Sequence, residues 1–443
     1  MRPVRDPRVY VRALTPRQIL TIGWLGFMAY AFPGYMSFDS AFQLRMARSG
    51  YLIDGHPPFM AALWRFVELF VAGPVGMLVI QTVAFLLGAY LVLRTRIAPR
   101  RAAVAATLVL WFPPIASVMA VIWKDAQMTA FLILGFGLLL QERRRDHVLG
   151  LIAILVATLM RHNALTITGP ILVFAFRWNP TWGWIKSTAL AVLVWIAITL
   201  TANVISSALT DEEQHFWHTN IALCDIAGTL RYESSTISDA DLAAFAPGVT
   251  FLVHDVQSYL RTADLDADYI NKLWKLTFRV VALPRTAEER AAVTAAWKKI
   301  VFGHFHAYAE YRWEIVRRLF GLTDEDQGSP VYNWFTDIQD PYYSASKIDH
   351  DATGAHLQNA LRTGMHDLGL TPIFSVPVYL VLVLVLLPFA FKDRQVFGLL
   401  VSAITGELAL LPIVPTPDWR YSYWAIVTVA FATVMLVARR MQR

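Results

Sequence analysis

The feature that most constrains this chain is a series of ten apolar runs of helix length, at about 17–33, 75–93, 102–122, 126–140, 148–160, 164–176, 187–208, 371–391, 395–413 and 421–438. As helices, runs of this kind match the hydrocarbon thickness of a bilayer. Of 443 residues, 56% are hydrophobic and 13% aromatic, and the mean hydropathy is +0.45, more apolar surface than a soluble core absorbs. An all-α polytopic membrane protein of about ten transmembrane helices is therefore expected. Runs 148–160 and 164–176 are short for a crossing. Each counts as a span because the polar Arg161-His162-Asn163 between them would otherwise lie in hydrocarbon.

Basic loops set the orientation. Arg2, Arg5, Arg8, Arg12 and Arg17 precede the first run, Arg94, Arg96, Arg100 and Arg101 follow the second, and Arg143, Arg144 and Arg145 follow the fourth. Lys392 and Arg394 follow the eighth run, and Arg439, Arg440 and Arg443 follow the last. Cytoplasmic loops carry such an excess, so both termini are expected in the cytoplasm, with the chain in the inner (plasma) membrane. The net charge of +6 is mostly this signal and implies no nucleic-acid partner. The first run lacks a small-x-small exit, so it is expected to stay as a span rather than to be cleaved.

Three parts follow: a transmembrane module over 1–208, a polar and mainly helical extracytoplasmic domain over 209–368, and a transmembrane module over 369–443. The sole cysteine, Cys224, cannot form an intrachain disulfide, so the outer domain must hold by packing and docking. Thr286-Ala-Glu-Glu289 predicts a capping box that opens one amphipathic helix running through Trp297, Ile300, Phe305, Trp313 and Phe320. Pro330 to Tyr343, rich in aromatics and Asp, reads as a loop that either meets sugar rings or forms an interfacial belt.

With that topology, nearly every polar residue interrupting an apolar run falls on the face away from the cytoplasm: Asp39, Asp54, His56, Lys124, Asp125, Arg161, His162, Asn163, Asp418 and Arg420. Ionisable groups at membrane depth are costly and mark function. The first outer loop, 33–58, carries most of the chemistry. A carboxylate at the membrane surface beside basic groups can take a proton from a hydroxyl nucleophile. The bland alternatives are that Asp39 caps the helix holding Phe42 and Gln43, and that Asp54 makes an Asx turn into Gly55.

Pro33-Gly34, Asp39-Ser40, Gln43 and His56-Pro57, then Lys124-Asp125, Arg161 with Asn163, and Arg420-Tyr421, occur in an order that resembles GT-C integral-membrane glycosyltransferases, including bacterial membrane families of unassigned function. The resemblance covers the membrane part and stops short of 209–368. It implies a GT-C-like fold and transfer of a sugar from a polyprenyl-phosphate (undecaprenyl-type) donor, with an acidic residue of the first outer loop as base. That residue maps to Asp39, with Asp54 or Asp125 as the second acid, and which carboxylate is primary stays open.

The cations fit the same chemistry independently. Outside the cytoplasm a sugar donor must be lipid-carried, and its phosphate leaving group needs cationic donors as charge develops. Arg161 and Arg420 offer paired donors and Lys124 a point charge, with His56 beside them. Ser40, Gln43, Asn163 and Tyr421 are expected to line the pocket. The alternative for the arginines is a structural ion pair with Asp125 or Asp418. Because phosphate leaves as an anion, one base suffices, and transfer with inversion is expected, unlike glycoside hydrolysis with its two carboxylates.

His215-x-x-His218, His304-x-His306, His350, His356 and His366 match no zinc spacing, and Asp324-Glu325-Asp326 suits a solvated turn. No metal and no cofactor is expected; a divalent cation has no support in the sequence. Phosphate-cradling glycine loops and a Gly-x-Ser-x-Gly elbow are missing from the sequence, which excludes the nucleotide and serine-hydrolase classes. The expected partners are the lipid-linked donor, membrane lipids, and an acceptor that is a glycolipid such as a lipopolysaccharide component, a polysaccharide or a protein. The rival classes are a lipid or glycolipid flippase, which would place its charges near the midplane, and a non-catalytic subunit of a cell-envelope assembly.

Overall fold

The computed structural model describes residues 14–179, 181–263, 269–322, 331–332 and 356–442. The described chain is helical throughout, with only isolated bridges between extended residues. Every apolar run becomes helix: Pro16–Ala31, Val75–Leu93, Pro99–Leu110 with Pro113–Met119, Lys124–Leu139, Arg144–Met160, Ala164–Ala175, Trp184–Leu209, Val376–Ala390, Arg394–Leu410 and Tyr423–Met441. Three helices, Val75–Leu93, Trp184–Leu209 and Trp419–Met441, are long and apolar enough to cross a membrane by length and composition. The pair Pro99–Leu110 and Pro113–Met119, bent by 72°, makes a fourth if it is one span. That bend departs from the straight run expected over 102–122. Pro113 and Pro114 lack the amide hydrogens a continuous helix needs, so the chain restarts there.

Lys124–Leu139 lies between Val75–Leu93 and Arg144–Met160, and small residues set the approach. A Cβ on Gly88 would stand 2.4 Å from the Leu134 amide nitrogen, and one on Gly135 would stand 2.9 Å from the Gly150 carbonyl. Such crossings gain their stability from close backbone packing. Gly88→Ala is expected to cost about 1–3 kcal/mol by overpacking, because the obstacle is backbone and cannot rotate away. Thermal unfolding in detergent checks this, and an unchanged midpoint would show that the two helices part freely.

The polar segment builds its own core from Leu223, Ile226, Leu230, Phe245, Val256, Leu260, Val280, Val293 and Ile300. Thr286 and Glu289 form the expected capping box. The single helix expected beyond it is two, Ala287–Gly303 and Phe305–Leu319, broken at His304, whose φ of −124° and ψ of 41° leave the helical region. Its Nδ1 sits 2.7 Å from Glu233 Oε2, an interaction that holds the break in place.

A third cluster, Leu273, Tyr311, Ile315 and Leu319 with Leu410 and Val414, joins this domain to the loop after Arg394–Leu410. Arg312 reinforces the joint. Its guanidinium pairs with buried Asp225 at 2.5 Å and donates to the Val414 carbonyl at 2.8 Å. Trp297 Nε1 donates to the other Asp225 oxygen at 2.6 Å, and these partners offset the cost of burying the carboxylate.

Of the sequence features discussed, Arg2, Arg5, Arg8, Arg12, Arg443, Asp324-Glu325-Asp326, His350 and all of 330–343 but Val331 and Tyr332 lie outside the described residues.

Candidate active site

The first outer loop is stitched to a later one. The Tyr35 amide donates to the Ala120 carbonyl at 2.9 Å, and the Ile122 amide donates to the Tyr35 carbonyl at 3.0 Å. This pairing sets the helix Phe38–Ser49 against Trp123, Lys124 and Asp125. Ser37 and Ser40 form a capping box at the start of that helix, and Gly50, at φ 72°, ends it in the left-handed region. Asp39 is therefore not the cap. With Ser37 in that role, the Asp39 carboxylate in the first turn is left to face its neighbours.

Those neighbours are cations. Arg420 Nη2 stands 2.7 Å from Asp39 Oδ2, and Arg420 Nε stands 2.8 Å from Asp418 Oδ2. The same guanidinium lies over the Trp123 ring, 4.7 Å from its centroid. His56 Nε2 is 3.7 Å from Asp39 Oδ1, and His56 Nδ1 is 2.5 Å from Lys124 Nζ. Arg161 pairs with Asp125 and lies over the Tyr421 ring at 5.0 Å. Four separated segments thus meet at one end of the helices.

Burial alone would raise the Asp39 carboxyl, but the cations, chiefly Arg420, outweigh it and hold the group well below the usual carboxylate range. Burial, then the Lys124 ammonium, push His56 down to about 3, so it is neutral at physiological pH. The sign of the linkage follows. The unfolded chain takes a proton on this histidine below its ordinary value of about 6.5, while the folded chain does not until about 3, so stability falls as pH drops through that window. His56→Asn is expected to flatten the fall in unfolding temperature between pH 7 and 4. An equal slope in both proteins would remove His56 as the cause.

Most of the residues singled out in the sequence converge. Asp39, His56, Lys124, Asp125, Arg161, Arg420 and Tyr421 lie in the contacts just described. Asn163 joins Asp125, Arg161, Arg420 and Tyr421 around a small cavity of about 10 Å³, room for one water. Ser40 is turned to a structural task, donating to the Ile122 carbonyl at 2.8 Å. Gln43, one helical turn beyond Asp39, is buried, and neither of its amide atoms has a hydrogen-bond partner among the described residues.

Asp54 does not join them. Its carboxylate accepts from the Gln214 amide at 2.5 Å, tying the first loop to the entrance of the polar domain. The ion-pair alternative is present for both arginines, Arg161 with Asp125 and Arg420 with Asp418. That leaves Lys124 as the one cation of the cluster with no carboxylate within ion-pair distance among the described residues.

Sequence reasoning missed several contributors. Trp123 floors Arg420, and its Nε1 donates to Ser37 Oγ at 2.6 Å. Glu407 lines the cavity and accepts from Ser422 Oγ at 2.9 Å. A lone acid inside the apolar run 395–413 was the available signal. Tyr332, from the aromatic segment, donates to the Met36 carbonyl at 3.0 Å and packs on Trp123 with ring centroids 5.7 Å apart. Among the described residues no three His, Cys, Asp or Glu side chains gather as a metal site would require. His218 instead meets Thr294 Oγ1 at 3.2 Å.

No family profile matches the chain, and no curated protein is significantly similar to it. Among solved structures it is similar to the Archaeoglobus fulgidus oligosaccharyltransferase tethered to an acceptor peptide, with TM-score 0.40 and 13% identity over 96% of this chain and 50% of that one. The same organism's oligosaccharyltransferase AglB, in complex with an inhibitory peptide and a dolichol-phosphate, gives 0.39 and 12% over 96% and 50%. ArnT from Cupriavidus metallidurans, bound to undecaprenyl phosphate, gives 0.36 and 14% over 98% and 79%. The chain spans about half the length of the oligosaccharyltransferases it matches. These are enzymes of the class that the first-loop pattern resembles. At such scores the likeness says nothing of reaction or substrate here.

Proposed function

We propose that this protein is a membrane glycosyltransferase that moves a hexosyl or pentosyl unit from a polyprenyl-phosphate donor to an acceptor hydroxyl at the extracytoplasmic face. The observation that carries it is the Asp39–Arg420 pair, set among Lys124, Arg161 and Asp418 at one end of the helices. A base and a set of phosphate-binding cations in contact are what such a transfer needs. Charges gathered at one end favour transfer over transport, which draws on midplane sites.

Asp39 takes the acceptor proton as the acceptor oxygen bonds to the anomeric carbon. The bond from that carbon to the phosphate oxygen breaks, and its electron pair leaves on polyprenyl phosphate. Displacement from the opposite side inverts the anomeric centre. In the free protein Arg420 suppresses the basicity of Asp39. A donor phosphate that draws Arg420 toward itself raises the Asp39 pKa, so the base gains strength when the donor is seated. Arg161 and Arg420 enter with their charges shared by carboxylates, whereas Lys124 meets His56 and has no carboxylate within ion-pair distance among the described residues, so Lys124 is the first cation open to the phosphate. Lys124→Ala is expected to lower kcat/KM for the donor about 10–100-fold, largely through KM, from loss of one charge-assisted contact. An unchanged KM would exclude it from the phosphate.

Asp125, buried against Arg161, orients that arginine in this scheme. Asp54 keeps the loop closed. The protein sits in the inner membrane with both termini cytoplasmic, ten spans in modules 1–208 and 369–443, and 209–368 outside. No metal takes part, and chelation is expected to leave the rate unchanged. The deciding experiment incubates purified protein in nanodiscs with radiolabelled polyprenyl-phosphate sugars and extracted envelope glycolipids, polysaccharide and protein. Label transferred from one donor establishes the class, and anomeric analysis of the product tests inversion. No transfer by folded protein from any donor would favour the flippase or the non-catalytic subunit.

A further inference from the structure

The far end of the bundle carries a second site. The helix Tyr423–Met441 starts beside Arg420 and runs 19 residues, about 28 Å at the α-helical rise, to Arg439 and Arg440. There, an open recess of about 480 Å³ is lined by five cations, Arg96, Arg177, Lys392, Arg394 and Arg439, against one carboxylate, Asp393. Asp393 is already engaged, 3.0 Å from Arg96 and 3.8 Å from Arg439. Arg394 donates to the Val173 carbonyl and lies over the Phe174 ring. Arg177 and Lys392 are exposed and have no protein partner among the described residues. Like charges held together this way lower their energy by taking an anion.

The neighbouring surface decides which anion. A groove of about 500 Å³, walled by Leu386, Phe389, Phe391, Leu436 and Val437, adjoins the recess and shares Lys392 and Arg439 with it. An apolar trough that ends in cations matches an acyl chain joined to a phosphate headgroup. A scattered topogenic signal would not require the trough. We infer that the two together form a binding site for one anionic phospholipid, its phosphate between Arg177 and Lys392 and its acyl chain along the groove between Val376–Ala390 and Tyr423–Met441. The inference rests on the membrane placement and not on glycosyl transfer.

The test is retention of lipid by the detergent-purified full chain, read by native mass spectrometry after addition of phosphatidylglycerol or phosphatidylcholine. Phosphatidylglycerol is expected to be held about tenfold or more over phosphatidylcholine, and Arg177→Gln with Lys392→Gln to abolish the difference. Arg177→Gln alone, at an exposed position, is expected to reduce the preference partway and guards against a misfolded double variant. Equal retention of the two lipids, or a preference unaltered in the folded double variant, overturns the proposal. Displacement of phosphatidylglycerol by millimolar inorganic phosphate would also overturn it, since the recess would then take a soluble anion. Displacement by polyprenyl phosphate would make the isoprenoid carrier the occupant in place of phospholipid and overturn it equally. Every readout is independent of sugar transfer, so failure here leaves the activity at the opposite end untouched.

Discussion

Asp39→Asn is expected to lower transfer by roughly 10³-fold or more while leaving the protein folded and able to bind donor. The substitution is nearly isosteric. Its carbonyl oxygen still accepts a hydrogen bond from Arg420, and Arg420 keeps Asp418 as its ionic partner at 2.8 Å. What the amide cannot do is take a proton from the acceptor hydroxyl. The measurement is single-turnover transfer with donor binding followed in parallel. Lost chemistry with retained binding supports the base, whereas loss of both in equal measure would assign Asp39 to holding Arg420. A variant as active as wild type would remove Asp39 from the mechanism.

The second large effect is expected at Arg420, and the informative change is to lysine. One planar guanidinium there presents Nη2 to Asp39 and Nε to Asp418 while lying over Trp123. Lysine preserves the charge but has neither the fork nor the flat face. Arg420→Lys is expected to lose about 10²–10³-fold in rate, the scale for one donor to a developing anion. Alanine would be the blunter test, because it strands two carboxylates without their shared partner. If lysine restores near-normal turnover, charge alone is what the site requires and the proposed grip on phosphate is wrong. Slower chemistry with an unaltered KM would mean that Arg420 acts mainly in the transition state.

The helices were legible because each apolar run of helix length folds as one, while only three of them, or four with the bent pair, are long and apolar enough to cross a membrane. The bend at Pro113-Pro114 was written in the sequence as well, but the apolar residues around it hid the break inside one run. At the site, Asp39, Lys124 and Arg420 could be chosen because each interrupts such a run. Their mutual distances could not, since residues 39, 124 and 420 are brought together by the Tyr35 to Val121 bridge and by the loop after Leu410. Asp54 was named as an acid of the first outer loop, and its long-range partner was not legible there. Its partner, the Gln214 amide, is 160 residues away, and no local pattern announces it. Glu407 was lost in the opposite way, as one acid in a run that reads as lipid-facing. The helix break at His304 escaped notice because the amphipathic spacing continues across it.

Arg312 ties the polar domain to the Val414 carbonyl, a few residues upstream of Asp418 and Arg420. The polar segment and the loop that carries Arg420 are therefore not independent parts. A chimera that imports a different 209–368 segment would also import a new anchor for the loop that carries Arg420, and its turnover is expected to drop through that loop alone. Transplants that carry Leu410–Tyr421 along with the domain keep the anchor and its load together. Divergence in such proteins would then be expected to change these two stretches in step, with the helices between them left free to drift.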